Sequence, residues 1–259
     1  MKTNKIRNSI IIYLVISTLK GDDISAMQVM QRVYEVNKPE TSIMDIRLEI
    51  IRKKGNKEKI KVRKFTRYEK YYKKGKYRSK SIARFIEPKV IKGTGLLSWT
   101  QRDGQTQQWF FLPKLKTVKK IKAKEKSKSF LNTDFIYEDL ESRKPGLDSL
   151  AAIGTEFLNG NQCRIIMAWP KNDSYYFSKK IWVSTQNWQI CKVEYYSTES
   201  KKDKTLILSD FIEKNNFITP GKMIMDVGNG NKTIMYITSF QPDIGLNEDV
   251  FTKAFLARI

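Results

Sequence analysis

This 259-residue chain contains no histidine. That excludes His-ligated metal sites, Ser-His-Asp triads and Cys-His dyads together. Its two cysteines, Cys163 and Cys191, are too few for a four-cysteine zinc site or a disulfide scaffold. They fall in separate predicted strands, and either one bridge or two buried thiols fits an oxidising compartment. A phosphate loop is absent too: Lys92, Gly93 and Gly95 lack the Walker spacing and the Ser or Thr after the lysine, so the glycines read as a bulge or sharp bend. Acidic residues are scarce over one stretch. Residues 52–128 hold 27 Lys and Arg against 5 Asp and Glu, which accounts for the whole formal net charge of +22 and leaves the rest of the chain neutral.

What is present argues for a folded, exported domain. Hydrophobic residues make up 40% of the chain and aromatics 12%, too much for a disordered protein despite a mean hydropathy of −0.51. Lys2, Lys5 and Arg7 precede the apolar run Ile10–Ile16, and small residues follow, which is the order of a secretory signal peptide. The run is shorter than the ~20 residues that span a bilayer. Gly21 and Ala26 are the candidate cleavage sites, and no cysteine follows for lipid anchoring. The expected organisation is a signal peptide over 1–21 and a single domain over 22–259.

Residues 24–36 predict a helix, with Ser25 and Gln28 as a capping box and Met27, Met30, Val33 and Tyr34 on one face. From residue 42 onward the period changes to two. Strands are predicted over 42–51, 59–65, 77–86, 96–99, 107–112, 150–157, 163–169, 175–183, 188–196, 205–212, 223–227 and 233–240. Asp103-Gly104, Asn159-Gly160 and Asn229-Gly230 mark hairpin turns. A short helix follows Asn247 and carries Val250, Phe251, Ala254 and Phe255. Consecutive hairpins without alternating helices imply one antiparallel sheet, strongly curved or closed.

The segment 84–140 has individual character. It reads Arg84-Phe-Ile-Glu-Pro88, Gly93-Thr-Gly-Leu-Leu97, Trp109-Phe-Phe-Leu-Pro113 and Val118-Lys-Lys-Ile121. Ser129-Phe-Leu-Asn-Thr-Asp-Phe-Ile-Tyr-Glu-Asp-Leu140 completes it. As a set, this series resembles the outer-membrane lipoprotein-sorting proteins, the LolA-like group often encoded with exporters of the resistance-nodulation-division class. The resemblance extends more thinly from Ile24–Val33 to Val250-Phe251-Thr252. It implies an α+β fold: a strongly curved, unclosed antiparallel β-barrel with helices against its concave face. It also implies a periplasmic, non-enzymatic carrier, without cofactor or metal, that holds acyl chains of a lipoprotein or lipid beside an inner-membrane exporter or extraction complex. The greater length and the basic stretch depart from the better-known carrier branch.

Within that frame Leu97, Trp99, Trp109, Phe111, Phe130 and Phe135 are candidates for the groove lining, with Met27 and Met30 as adaptable lid contacts. Ordinary core packing explains the same residues. Asp134, Glu138 and Asp139 are a carboxylate cluster without nucleophile, base or metal partner, which favours a structural or docking loop over acid–base catalysis. In the basic stretch Lys59, Lys61 and Arg63 share one parity and are expected to project outward, opposite Ile60 and Val62. Arg78, Lys80 and Arg84 share one parity in the next strand, so together the two strands are expected to present a positive face to an anionic membrane. A solvated surface is the plain alternative. A second function class is an exported polyanion-binding protein, with the Tyr and Lys mixture of 66–74 stacking on and neutralising nucleic acid. Export argues against a nucleic-acid partner.

Overall fold

A computed structural model describes residues 24–258. The expected signal peptide lies outside the described residues. Helix α1 (Ala26–Glu35) starts where the sequence places it. Ser25 accepts from the Gln28 backbone N–H and the Gln28 side chain accepts from the Ser25 N–H, a complete capping box. The strands are β1 (Thr41–Lys54), β2 (Lys57–Tyr71), β3 (Tyr77–Glu87), β4 (Gly95–Gln101), β5 (Thr106–Leu112) and β6 (Thr117–Lys120). After a long connection come β7 (Asp148–Leu158), β8 (Asn161–Pro170), β9 (Ser178–Ser184), β10 (Ile190–Tyr196) and β11 (Lys202–Ser209). A separate small hairpin, β12 (Ile212–Lys214) and β13 (Phe217–Thr219), leads to β14 (Lys222–Gly228) and β15 (Asn231–Pro242). A 3-10 turn (Glu248–Phe251) and α2 (Lys253–Leu256) end the fold.

Thirteen strands form one antiparallel sheet in the order β6-β5-β4-β3-β2-β1-β15-β14-β11-β10-β9-β8-β7. Two meanders are therefore joined through β1 and β15, in register from Ser42↔Pro242 to Ile51↔Lys232 with one bulge at Asp45/Ile46. The edges β6 and β7 do not pair, so the sheet is unclosed. Both edges are poor templates for another strand. β6 is four residues long and carries two lysines. β7 has a bulge between Ala152 and Gly154, where the glycine takes a φ of +147°.

Because β6 and β7 lie at opposite edges, the 121–147 connection must cross the sheet. It crosses the face that holds the main core. Met44, Ile46, Leu48 and Ile50 of β1, Phe65, Phe85 and Leu96 meet Ile166, Val183, Val193 and Met225 of the other meander in a single cluster. Ala26 and Val29 of α1 and Ile121, Phe130, Phe135 and Tyr137 of the connection fill the space between them. We call this the inner face. A second cluster lies on the outer face of β3–β5 under α2, and a third, around Cys163, Ile165, Trp182 and Cys191, backs β8–β10.

Two features differ from the expectation. α2 packs on the outer face, because Leu256 sits fully buried among Ile82, Leu97, Trp109 and Phe111. Gly95 makes that seat: a Cβ there would stand 2.7 Å from Leu256 Cδ1 and 3.2 Å from the Ala83 carbonyl. Helix α1 is also rotated from the predicted face. Ala26 and Val29 are its buried residues, while Met30 and Val33 are partly buried against the core and Met27 points to solvent.

Candidate functional site

Alternation along a strand sorts side chains onto two faces, and the register decides which set is inside. Leu96 is in the inner cluster and Leu97 in the outer one. Leu97 pairs with Trp109 and Gly95 with Phe111, so Leu97, Trp99, Trp109 and Phe111 share the outer face. There they form a compact unit with α2. The rings of Trp99 and Trp109 meet edge to face at 4.6 Å, and the Trp99 indole N–H donates to the Phe251 carbonyl at 2.9 Å. Phe130 and Phe135 lie on the inner face, with Phe130 against Phe85 and Tyr137 at 6.0 and 5.6 Å between ring centroids. The proposed lining residues thus divide between two faces. Phe130, Phe135 and, at its margin, Met30 are the ones the structure brings to the hollow.

The carboxylates of the central segment have definite partners. Asp134 accepts from Arg52 of β1 at 2.9 Å and from the Thr233 hydroxyl of β15 at 2.6 Å. Asp139 accepts from Lys204 of β11 at 2.5 Å, from the Tyr176 hydroxyl at 2.7 Å and from the Ile136 N–H at 2.8 Å. Glu138 accepts from the Ser174 hydroxyl at 2.5 Å and from the Tyr175 N–H at 2.8 Å, with Lys179 at 3.6 Å. The connection is thereby fastened to both meanders, which agrees with a structural loop. Burial pushes the Tyr176 and Tyr195 phenols above their ordinary range, with the charges of Asp139 and Glu138 adding to the effect. Both therefore stay neutral, and Tyr176 is the donor to Asp139. Burial pushes the Lys179 ammonium down, opposed by Glu138.

The basic residues are distributed differently from the prediction. Lys61 pairs with Ile50 and Arg63 with Leu48, both inner residues, so Lys59, Lys61 and Arg63 belong to the inner side of β2. Ile60 and Val62 are the outer, exposed set. Arg63 donates to the Leu131 carbonyl at 2.5 Å across the hollow's rim. A bulge between Tyr77 and Ser79 breaks the parity of β3. Arg78 stacks at 3.6 Å on the Tyr34 ring of α1 and donates to the Tyr34 carbonyl. Lys80 stays outside, paired with Glu248 and facing the rings of Tyr72, Tyr77 and Trp99. Arg84 donates to the carbonyls of Phe255 at 2.6 Å and Leu256 at 3.1 Å and to that of Arg258, closing the end of α2. Arg78, Lys80 and Arg84 hold terminal segments and do not form one free positive face with the β2 lysines. The aromatics of 66–74 are similarly engaged: Tyr68 packs on the outer cluster and the Tyr72 hydroxyl donates to Glu248.

Sequence reasoning missed two open cavities at the C-terminal end of α1. One of about 500 Å³ is lined by Asn37, Lys38, Tyr71, Tyr72, Arg78 and Arg102 among others. Burial lowers the Lys38 ammonium pKa there, with Glu69 opposing. The other, about 370 Å³, lies between Arg32, Val36, Trp188 and Ile218. No local signal marks either, since each is assembled from α1 and distant turns. The two cysteines are free and buried. They lie on β8 and β10 with β9 between, in one buried cluster with Ile165 and Trp182, and they are not bridged. Among the described residues no group of three or more His, Cys, Asp or Glu is placed to hold a metal. No described helix is long and apolar enough to cross a membrane, which says nothing of membrane β-barrels.

The large unclosed antiparallel sheet is shared with solved structures. One is a domain assigned to outer-membrane lipoprotein sorting from Vibrio parahaemolyticus, 24% identical, with a TM-score of 0.82 over 90% of this chain and 98% of that one. A DUF1329 family protein from Desulfovibrio piger is equally similar, at 24% identity and a TM-score of 0.82 over 89% and 97% of the two chains. A LolA superfamily protein from Nitrosomonas europaea is 18% identical, with a TM-score of 0.66 over 90% and 99%. No curated protein sequence matches the chain. A family model described as "Uncharacterized protein" matches residues 77–258, from β3 through α2. The chain belongs to that family, and its fold is the one seen in the lipoprotein-sorting and LolA-superfamily structures.

Proposed function

We propose that this protein is a periplasmic, non-enzymatic carrier that takes acyl chains of a lipid or lipoprotein into the hollow of the sheet and moves them between membranes. One observation carries the reading. The hollow is filled by α1 and the 121–147 connection, and neither is hydrogen-bonded into the sheet as a strand. Those two elements can shift while the thirteen-stranded ladder stays intact. Phe130, Phe135 and Met30 would then exchange contacts with one another for contacts with hydrocarbon, and each methylene enclosed gains ~0.8 kcal/mol. The two cavities flanking the end of α1 are the natural entrances. The names of the similar structures support the cargo class, and the N-terminal sequence supports export, with an inner-membrane exporter or extraction complex as the donor.

Purification from a native host, lipid extraction and mass spectrometry test the proposal. A stoichiometric acyl lipid or lipoprotein, together with saturable binding of a fluorescent fatty acid, is expected. A lipid-free protein that also ignores the fatty acid would remove the carrier reading. The polyanion alternative is weakened by the engaged aromatics of 66–74. It predicts binding that collapses with salt, whereas acyl binding holds or strengthens.

A further inference from the structure

Five large aliphatic side chains stand in water around one end of the β1–β5 meander. Ile60 and Val62 are on the outer side of β2 and Ile86 is at the end of β3. Val90 is in the 3-10 turn Lys89–Ile91 and Leu115 in the 3-10 turn Pro113–Leu115. They are 39% to 68% exposed. Strand direction puts them together. In an antiparallel meander alternate turns share an end, so the β1–β2, β3–β4 and β5–β6 turns are neighbours. Ile86 precedes Glu87, which pairs with Lys64 of β2, two residues beyond Val62. The start of β4 pairs with the end of β5, Gly95↔Phe111, which sets the Lys89–Ile91 and Pro113–Leu115 turns side by side.

Exposed lysines stand in or beside the same three turns, among them Lys54, Lys57, Lys89, Lys92, Lys114 and Lys116. β2 runs past its last pair with β3, so residues 57–63 have no strand on that side. We propose that this rim docks onto an anionic lipid bilayer, its aliphatic tips entering the headgroup region and its lysines meeting the lipid charges. Composition selects the occupant. Protein interfaces favour aromatics and Arg and are poor in Lys, and single-stranded nucleic acid asks for stacking rings. This rim offers Lys with Ile, Val and Leu and no aromatic. A second copy is disfavoured because the open β2 edge is lysine-rich. Lipid surfaces reward this mixture, since ammonium groups reach the headgroups while aliphatics sit at the acyl boundary. The proposal does not rest on the carrier reading.

Sedimentation with vesicles tests it. The purified protein should bind phosphatidylglycerol–phosphatidylethanolamine vesicles and ignore phosphatidylcholine. Replacing Lys54, Lys57, Lys89, Lys114 and Lys116 with Gln should lower binding to background. The pair Val90→Ser and Leu115→Ser should weaken it about tenfold with all lysines in place. Unfolding midpoints and fluorescent fatty-acid binding should stay at wild-type values in both variants. Failure of the wild type to sediment with anionic vesicles would overturn the proposal. So would full vesicle binding by the serine variant, which would mean a polyanion surface without insertion. Vesicle binding by a protein that takes no fatty acid would leave the rim standing and count against the carrier alone.

Discussion

Replacing Asp139 with Asn tests whether the crossing connection is a latch. In the folded protein the side chains of Lys204 and Asp139 are 6% and 1% exposed, and their charges stand 2.5 Å apart. The variant leaves the Lys204 ammonium with the Asp134 carbonyl at 2.9 Å and the faces of Tyr176 and Tyr195 at 5.5 Å, but no anion. Breaking a buried pair by removing one partner costs ~3–5 kcal/mol, whereas replacing both with apolar groups of similar volume is close to neutral. With a urea slope of ~1–3 kcal/mol per molar, Asp139→Asn should lower the unfolding midpoint by at least 1 M. The double variant Asp139→Leu, Lys204→Met should recover most of that loss. The functional consequence follows if the connection must move to admit cargo. Each ~1.4 kcal/mol by which the filled arrangement is weakened should tighten fatty-acid binding tenfold, because less of the binding energy is spent on opening. A lowered midpoint with unchanged fatty-acid affinity would show that Phe130 and Phe135 are permanent core, and that cargo, if any, binds elsewhere.

Other outcomes follow from the same contacts. Leu256→Ala should cost ~2–5 kcal/mol in urea unfolding, since Leu256 is fully buried. It should leave fatty-acid affinity unchanged, because Leu97, Trp99, Trp109 and Phe111 belong to the outer cluster; a large affinity change would return those residues to the cargo site. Burial pushes the Cys163 thiol up to about 12 and raises that of Cys191 as well. Neither should react with a thiol reagent at pH 8 until the protein is denatured, and rapid native labelling would contradict their placement. Glu125 is held down at about 2 by hydrogen bonds from Lys119 and the Lys122 N–H. A depressed carboxyl stabilises the fold above its unfolded value near 4.5 and loses that contribution as pH falls toward 2. Glu125→Gln should therefore flatten the acid limb of the stability curve in that window, and an unchanged limb would refute the assignment.

The sequence carries the parts of this fold that are local. Ser25 and Gln28 cap a helix whatever surrounds it, and the β1–β2 lysines alternate with Ile60 and Val62 as read. Alternation, however, yields two sets without saying which is inside. The usual assumption, apolar inward, fails at Lys61 and Arg63 because β2 is registered on β1, whose Ile50 and Leu48 face the core. At that end of the sheet the hollow is open, so the inner side is wet and Arg63 can reach Leu131. The same ambiguity moved Leu97 and Trp109 to the outer face. Only Gly95 carried a hint, since a strand glycine marks close approach of something, and the something was Leu256, 161 positions away in the chain. The central motif series was legible as a pattern but not as a crossing, which depends on β6 and β7 lying at opposite edges. The proposed carrier role turns on that non-local fact. Were β7 beside β6, residues 121–147 would be an ordinary surface loop. Placed across the sheet, their aromatics become the interior, and their carboxylates become the ties that hold the connection to both meanders.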